Sequence, residues 1–239
     1  MTSSQRRSLT EALIVWLVAV LSASLLFQLR GASRVIANNL MAFTSAILLY
    51  LPAMVLWIRR ESFDFFERNR QAFFNSLRWT LIVSLVVFPI LALLNHFYQA
   101  IPIHLKFFGT GFWKLEAHYT SVESHRPLLS TFFFHLVMVA FAEEFFFRGY
   151  FLKRMKEVFD DRIDFWGVKV GWAFFLTAFL FALSHSLIVV RWWHFAIFFP
   201  ALVFGWLREK IGGLTAPILF HALSNTFAAW VGIHYLVMK

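Results

Sequence analysis

The chain has 239 residues, of which 60% are hydrophobic and only 15% are charged, and its formal net charge is +9. Globular chains are about 45–50% apolar and about 25% charged, so this composition excludes an ordinary soluble domain and favours a polytopic membrane protein. The basic residues lie mostly between apolar runs, which argues against nucleic-acid binding, and the absence of cysteine excludes disulfides, thiolate nucleophiles and thiolate-bound metals.

Apolar stretches of about 20 residues, the length that a helix needs to cross a membrane, recur along the chain. We predict an all-α fold, a polytopic membrane helical bundle of about seven transmembrane helices, with six or eight as the alternatives. No internal repeat or linker divides the chain, so residues 1–239 are expected to form a single integral membrane domain. The predicted spans are Leu9–Leu29, Val35–Ile58, Trp79–Tyr98, Leu128–Leu152, Val168–Val190, Trp192–Leu207 and Leu214–Met238.

Two connections between the spans are longer than the others. Arg59–Arg78 mixes phenylalanines with arginines, which is typical of an amphipathic segment lying in the membrane interface. Ile101–Pro127 carries His104, His118 and His125, and we expect a connecting loop, with a lid over a site as the alternative. An N-terminus on the inside places about twice as many basic residues in the inner segments as in the outer ones, so we predict that orientation.

The fourth span contains Glu143, Glu144 and Arg148 among phenylalanines. A charged side chain at the centre of a membrane helix costs roughly 2.5–3.5 kcal/mol on insertion scales, so ionisable residues at this depth indicate a functional site. Glu144 and Arg148 share a helix face and can pair, whereas Glu143 points about 100° away. Glu143 is therefore a candidate general base; the alternative is an ion-pair cluster that only fixes helix packing.

Later spans contribute His185, His221 and Asn225, the last two on one helix face. Two chemistries stay open. Glu143 and His185 could activate water while His221 and Asn225 stabilise an oxyanion, or Glu143, His185 and His221 could bind a divalent metal. No His-Glu-x-x-His motif is present, so the common zinc-protease helix is excluded, but spacing alone does not separate the two chemistries.

Three polar motifs follow one another along the chain, each in a predicted span: Glu143-Glu144-x-x-x-Arg148, Phe181-x-x-x-His185 and His221-x-x-x-Asn225. Together they resemble the CPBP family, the type II CAAX prenyl endopeptidases, also called the Abi or lysostaphin-resistance-A-like family. The resemblance covers about Leu128–Met238. It implies a catalytic set of four residues and a supporting set of three. The catalytic set is Glu143, His185, His221 and Asn225, and the supporting set is Glu144, Arg148 and Phe181.

The resemblance implies an intramembrane endopeptidase, with no cofactor or with one divalent metal ion such as zinc. Its expected partners are membrane lipids and a membrane-anchored or lipidated peptide or protein substrate, in a bacterial plasma (inner) membrane. The distance of Glu143 and His185 from the basic connection between them places the site at mid-membrane or nearer the outer face, which favours an anchored or exported substrate. The alternatives are a proton-coupled transporter and a non-enzymatic immunity or scaffold protein.

Overall fold

The computed structural model describes residues 1–100 and 127–236, which form seven helices and one short β-hairpin. The helices are α1 (Ser3–Leu29), α2 (Arg34–Ile58), α3 (Arg70–Ala100), α4 (Leu128–Lys156), α5 (Trp172–Val189), α6 (Phe198–Ile211) and α7 (Thr215–Leu236). The hairpin pairs β1 (Asp161–Asp164) with β2 (Lys169–Gly171) in antiparallel orientation. The predicted all-α polytopic bundle is confirmed, and the hairpin is a small addition that the sequence did not indicate.

Among the described residues, the five helices α1 to α5 are long and apolar enough to cross a membrane. Helix α6 has only 14 residues and follows a 3₁₀ turn, Trp192–Ile197, inside the predicted sixth span. It ends at Gly212, which adopts a positive φ of 81° and so closes the helix with a left-handed residue. The chain is therefore a multi-pass membrane protein whose sixth helix is short.

Several predicted boundaries are wrong. Helix α5 begins at Trp172 rather than Val168, because the preceding residues pair with β1 instead. The Ile101–Pro127 connection, predicted as a loop or a lid, and the end of the seventh span lie outside the described residues, except for Pro127.

The predicted interfacial segment Arg59–Arg78 is also corrected. Its second part is the start of α3, which begins at Arg70 rather than Trp79. In its first part, Phe65 turns inward: its ring is buried against Phe145, and its carbonyl accepts a hydrogen bond from the Leu214 amide. Part of the segment's apolar surface is therefore covered by the bundle itself.

The N-terminus and the connections α2–α3, α4–α5 and α6–α7 meet at one end of the bundle, here called the basic end. Arg154, which is 2% exposed, joins three of these segments through Glu11, Glu61 and Glu157, at 3.1, 2.8 and 2.9 Å. Lys156 pairs with Glu209 at 2.6 Å at the same end. These contacts put the predicted inner segments on one side, and the orientation of that side in a membrane stays a prediction.

Candidate catalytic site

Helix α4 departs from regular α geometry on both sides of the adjacent glutamates. Two π-helical segments, Leu136–Ala140 and Phe145–Phe151, flank the single α turn Phe141–Glu144. The hydroxyl of Ser45 in α2 donates a hydrogen bond to the Met138 carbonyl within the first segment. Wide π turns are rare and are frequently found at functional sites, and here they change the direction in which the glutamates project.

Glu144 is fully buried and connects two other polar side chains. Its Oε1 accepts a hydrogen bond from Arg148 Nη1 at 2.9 Å and lies 2.9 Å from His221 Nδ1. The other Arg148 nitrogen, Nη2, donates to the Ala201 carbonyl at 2.9 Å, and the guanidinium lies 4.4 Å from the centre of the Phe181 ring. Glu144 therefore forms the ion pair expected with Arg148 and also holds His221.

Glu143 faces two histidines from two other helices. Its Oε2 atom lies 3.6 Å from His185 Nε2 and 3.9 Å from His221 Nε2. That oxygen is buried and has no hydrogen-bond partner among the described residues. Both distances are too long for direct hydrogen bonds, and polar groups at such spacing are commonly bridged by a water molecule.

The hydrogen-bond partners of the two Nδ1 atoms determine which tautomer each histidine adopts, and so whether its Nε2 turns a proton or a lone pair towards Glu143. His185 Nδ1 lies 2.9 Å from the Phe181 carbonyl, which only accepts hydrogen bonds, so this nitrogen carries a proton. The same reasoning puts a proton on His221 Nδ1, because an ionised Glu144 is also only an acceptor. When neutral, both rings therefore turn an Nε2 lone pair towards Glu143.

Aromatic rings fix the planes of both imidazoles. The Phe181 ring lies 4.7 Å from the His185 ring, and the Phe204 ring stacks on His221 at 4.5 Å with an interplanar angle of 14°. Phe181 also lies beneath Arg148 and thus contacts the polar cluster, and its supporting role stays a prediction.

The fourth predicted catalytic residue is Asn225. It lies one turn beyond His221 on α7 and is half-buried. Its side chain makes no hydrogen bond within the part of the chain that the structure describes. The structure thus brings Glu143, His185 and His221 together, and puts Asn225 one turn beyond His221 on α7.

Residues outside the motifs also contact the site helices. Trp16 Nε1 of α1 donates to the Ser184 hydroxyl at 2.8 Å, directly beside His185. The sequence does not identify Trp16 or Ser45 as site residues, because tryptophan and serine are common in apolar helices. Only the packing of α1 and α2 shows that they reach the helices of the site.

The candidate metal ligands Glu143, His185 and His221 have suitable donor types, since zinc binds imidazole nitrogens and carboxylate oxygens at about 2.0–2.2 Å. Across residues 1–100 and 127–236, however, no group of three or more such side chains is arranged to hold a metal ion. The metal-bound alternative for these three residues therefore stays a prediction.

A half-buried carboxylate with one buried oxygen facing two imidazoles, inside a helical membrane bundle, is an arrangement suited to hydrolysis within the membrane. Comparison with protein families agrees with this class: residues 124–227 match the family described as type II CAAX prenyl endopeptidase Rce1-like. This match confirms the predicted CPBP resemblance, and the matched residues include every predicted site residue. The chain matches no curated protein and no solved structure.

Proposed function

We propose that this chain is an intramembrane endopeptidase that hydrolyses a peptide bond of a membrane-anchored, lipidated or exported substrate. The supporting observation is the position of Glu143 Oε2, which is buried, has no hydrogen-bond partner among the described residues, and lies opposite Nε2 of His185 and His221 at 3.6 and 3.9 Å. The surrounding domain matches a family of prenyl endopeptidases, which are peptidases that act at membranes.

The first chemical step uses two of the three acceptors that meet at this point, Glu143 Oε2 and His185 Nε2. A water molecule between them donates one hydrogen bond to Glu143 Oε2 and the other to His185 Nε2, which orients its lone pair towards the substrate. Glu143 takes a proton as the water oxygen bonds to the carbonyl carbon, and the carbonyl oxygen becomes an oxyanion. Glu143 suits this role because no lysine or arginine among the described residues pairs with its carboxylate, whereas Glu144 pairs with Arg148.

The oxyanion needs hydrogen-bond donors. The two candidates, Asn225 and His221, differ in the protonation state in which they can donate. The Asn225 amide donates in any protonation state. His221 already donates from Nδ1 to Glu144, so it can donate from Nε2 only when doubly protonated, with Glu144 balancing the charge. Glu143 then delivers its proton to the amide nitrogen as the carbon–nitrogen bond breaks, which releases a carboxylic acid and an amine.

The depth of the site supports an anchored or exported substrate. Glu143 and His185 each lie about 20 Å along their helices from the basic end. The side chain of His185 is 27% exposed, against 15% for Glu143 and 5% for His221, so the substrate is expected to approach from the side of His185. A peptide that enters within the bilayer would reach this position without crossing the basic end.

The proposal can be tested with the full chain in liposomes and a fluorogenic peptide that carries a lipid anchor. Glu143→Gln should reduce the cleavage rate by about 10²–10⁴-fold, the usual contribution of a general base. Glu209→Gln is the matched control, because Glu209 pairs with Lys156 at the basic end and lies away from the site. Cleavage by Glu143→Gln at the wild-type rate would remove Glu143 from the mechanism.

A second part of the cleavage experiment tests whether the reaction requires a metal ion. With water activated by Glu143 and His185 alone, treatment with a chelator should leave the cleavage rate unchanged. A loss of activity that added zinc restores would instead assign Glu143, His185 and His221 as ligands of a catalytic ion.

A further inference from the structure

The first turn of α7 is held by a carboxylate from outside the part of the chain that matches the family. Glu67, in the connection between α2 and α3, accepts a hydrogen bond from the Thr215 amide at 3.3 Å and another from the Thr215 hydroxyl. The buried hydroxyl of Ser76 donates to the same carboxylate at 2.6 Å. A negative charge at a helix N-terminus is favourable, because the first amides are unpaired and the helix dipole is positive there.

The connection between α2 and α3 contacts α4 as well as the start of α7. The Phe65 carbonyl accepts a hydrogen bond from the Leu214 amide at 3.1 Å, one residue before Thr215. The Phe65 ring also packs on Gly149, where a Cβ atom would lie 3.1 Å from the ring. Gly149 directly follows Arg148, so the connection contacts one helix beside Arg148 and the other at the start of α7.

Gly213 shows how closely Glu67 approaches the start of α7. A Cβ atom at this buried position would overlap the carboxyl group of Glu67, so a glycine is needed for the contact. The hydrogen bonds and this close approach are independent observations that fix the same carboxylate against the same helix end.

Helix α7 carries His221 only about 9 Å along its axis from Thr215. His221 must keep its 2.9 Å contact with Glu144 while its Nε2 faces Glu143. Small displacements of catalytic groups are costly, since about 1 Å can lower a rate by about 10²-fold. We propose that Glu67 is a positioning residue that fixes the first turn of α7 and thereby sets the location of His221, an inference that rests on the proposed function.

The test compares Glu67→Ala with two other variants in the liposome cleavage assay. Glu67→Ala should lower kcat by about tenfold or more, with KM changed less than about twofold, because the substrate contacts remain while the catalytic geometry shifts. Glu67→Gln should recover most of the rate, since its amide oxygen still accepts from the Thr215 amide. Asp64→Asn is the matched control: it removes a charge from the same connection, where Asp64 pairs with the exposed Arg68.

A readout independent of cleavage is the ¹⁵N NMR signal of the His221 ring, assigned with a His221→Asn variant. Glu67→Ala should shift the Nδ1 resonance away from its Glu144-bound value, and Asp64→Asn should leave it unchanged. If the wild-type chain cleaves nothing but this shift occurs, the proposed function fails and the positioning role stands.

A wild-type rate and an unchanged His221 signal in Glu67→Ala would overturn the positioning role while leaving the proposed function intact. If Glu67→Ala does not fold, Thr215→Val carries the same expectations, because it removes the hydroxyl that donates to Glu67. Gly213→Ala should reproduce the defect, since it displaces the carboxylate.

Discussion

Replacing Glu144 with glutamine should destabilise the protein much more than the same replacement at its neighbour Glu143. Glu144 is fully buried and compensates the charge of Arg148, which is itself 1% exposed. Glu143 pairs with no arginine or lysine in the described structure, and its Oε2 has no hydrogen-bond partner there. We therefore expect the two adjacent carboxylates to have different roles: Glu144 stabilises the fold, and Glu143 takes part in the chemistry.

The magnitude follows from the buried ion pair. Removing one partner of such a pair costs about 3–5 kcal/mol, because the remaining charge stays buried without compensation. Glutamine at position 144 can still accept one hydrogen bond from Arg148, so we expect a loss of about 3 kcal/mol. For Glu143→Gln we expect a change within about 1 kcal/mol, since no opposite charge is left behind.

Equilibrium unfolding in mixed micelles, followed by the fluorescence of the 10 tryptophans, measures both free energies. The double variant Glu144→Gln, Arg148→Met should be more stable than Glu144→Gln alone, because it removes the uncompensated cation. Equal stability of Glu144→Gln and Glu143→Gln would refute this division of roles.

Two further predictions concern contacts outside the catalytic set. Trp16→Phe removes the hydrogen bond to Ser184 and should cost about 0.6 kcal/mol, at most about 1.7, as measured for polar contacts between membrane helices. It should also slow cleavage several-fold, whereas the exposed Trp57→Phe should do neither; equal behaviour of the two variants would show that the Trp16 contact is unimportant. At the basic end, partial burial raises the pKa of Glu61, but the hydrogen bond and charge of Arg154 outweigh it and hold that pKa below its ordinary value. The stabilisation from Glu61 is thus complete above its unfolded-state pKa of about 4.3 and is lost as the pH falls through the lower folded-state pKa. Unfolding measured between about pH 5 and 3 should depend less on pH in Glu61→Gln, and an unchanged dependence would contradict the Arg154 contact.

Helical periodicity was sufficient to predict local relations within the site. The spacing of Glu144 and Arg148 predicted their pairing, and the spacing of His221 and Asn225 placed both on one face of α7. The convergence of Glu143, His185 and His221 was a hypothesis from their polar side chains at membrane depth, and the family resemblance supported it. Spacing within single helices says nothing about contacts between helices.

Other features of the structure could not be predicted from the sequence, and the reasons are physical. Phe65 was expected at the membrane interface because lipid and protein interior are both apolar, so a hydrophobic side chain does not indicate which of them surrounds it. The π segments around Glu143 were missed because periodicity arguments assume a constant 3.6 residues per turn. The contacts of Glu67 with Thr215 and of Trp16 with Ser184 join residues far apart in the chain, which only tertiary packing brings together.

The central claim is that Glu143 and His185 activate one water molecule, next to His221 and Asn225 as oxyanion donors, to cut a peptide bond in the membrane. Mass spectrometry of membrane proteins from cells that carry either the wild-type chain or Glu143→Gln tests it most directly. Uncleaved termini on particular membrane proteins should accumulate in the variant, at unchanged levels of the chain itself. Identical termini in the two samples, with the variant folded and present in the membrane, would contradict the claim.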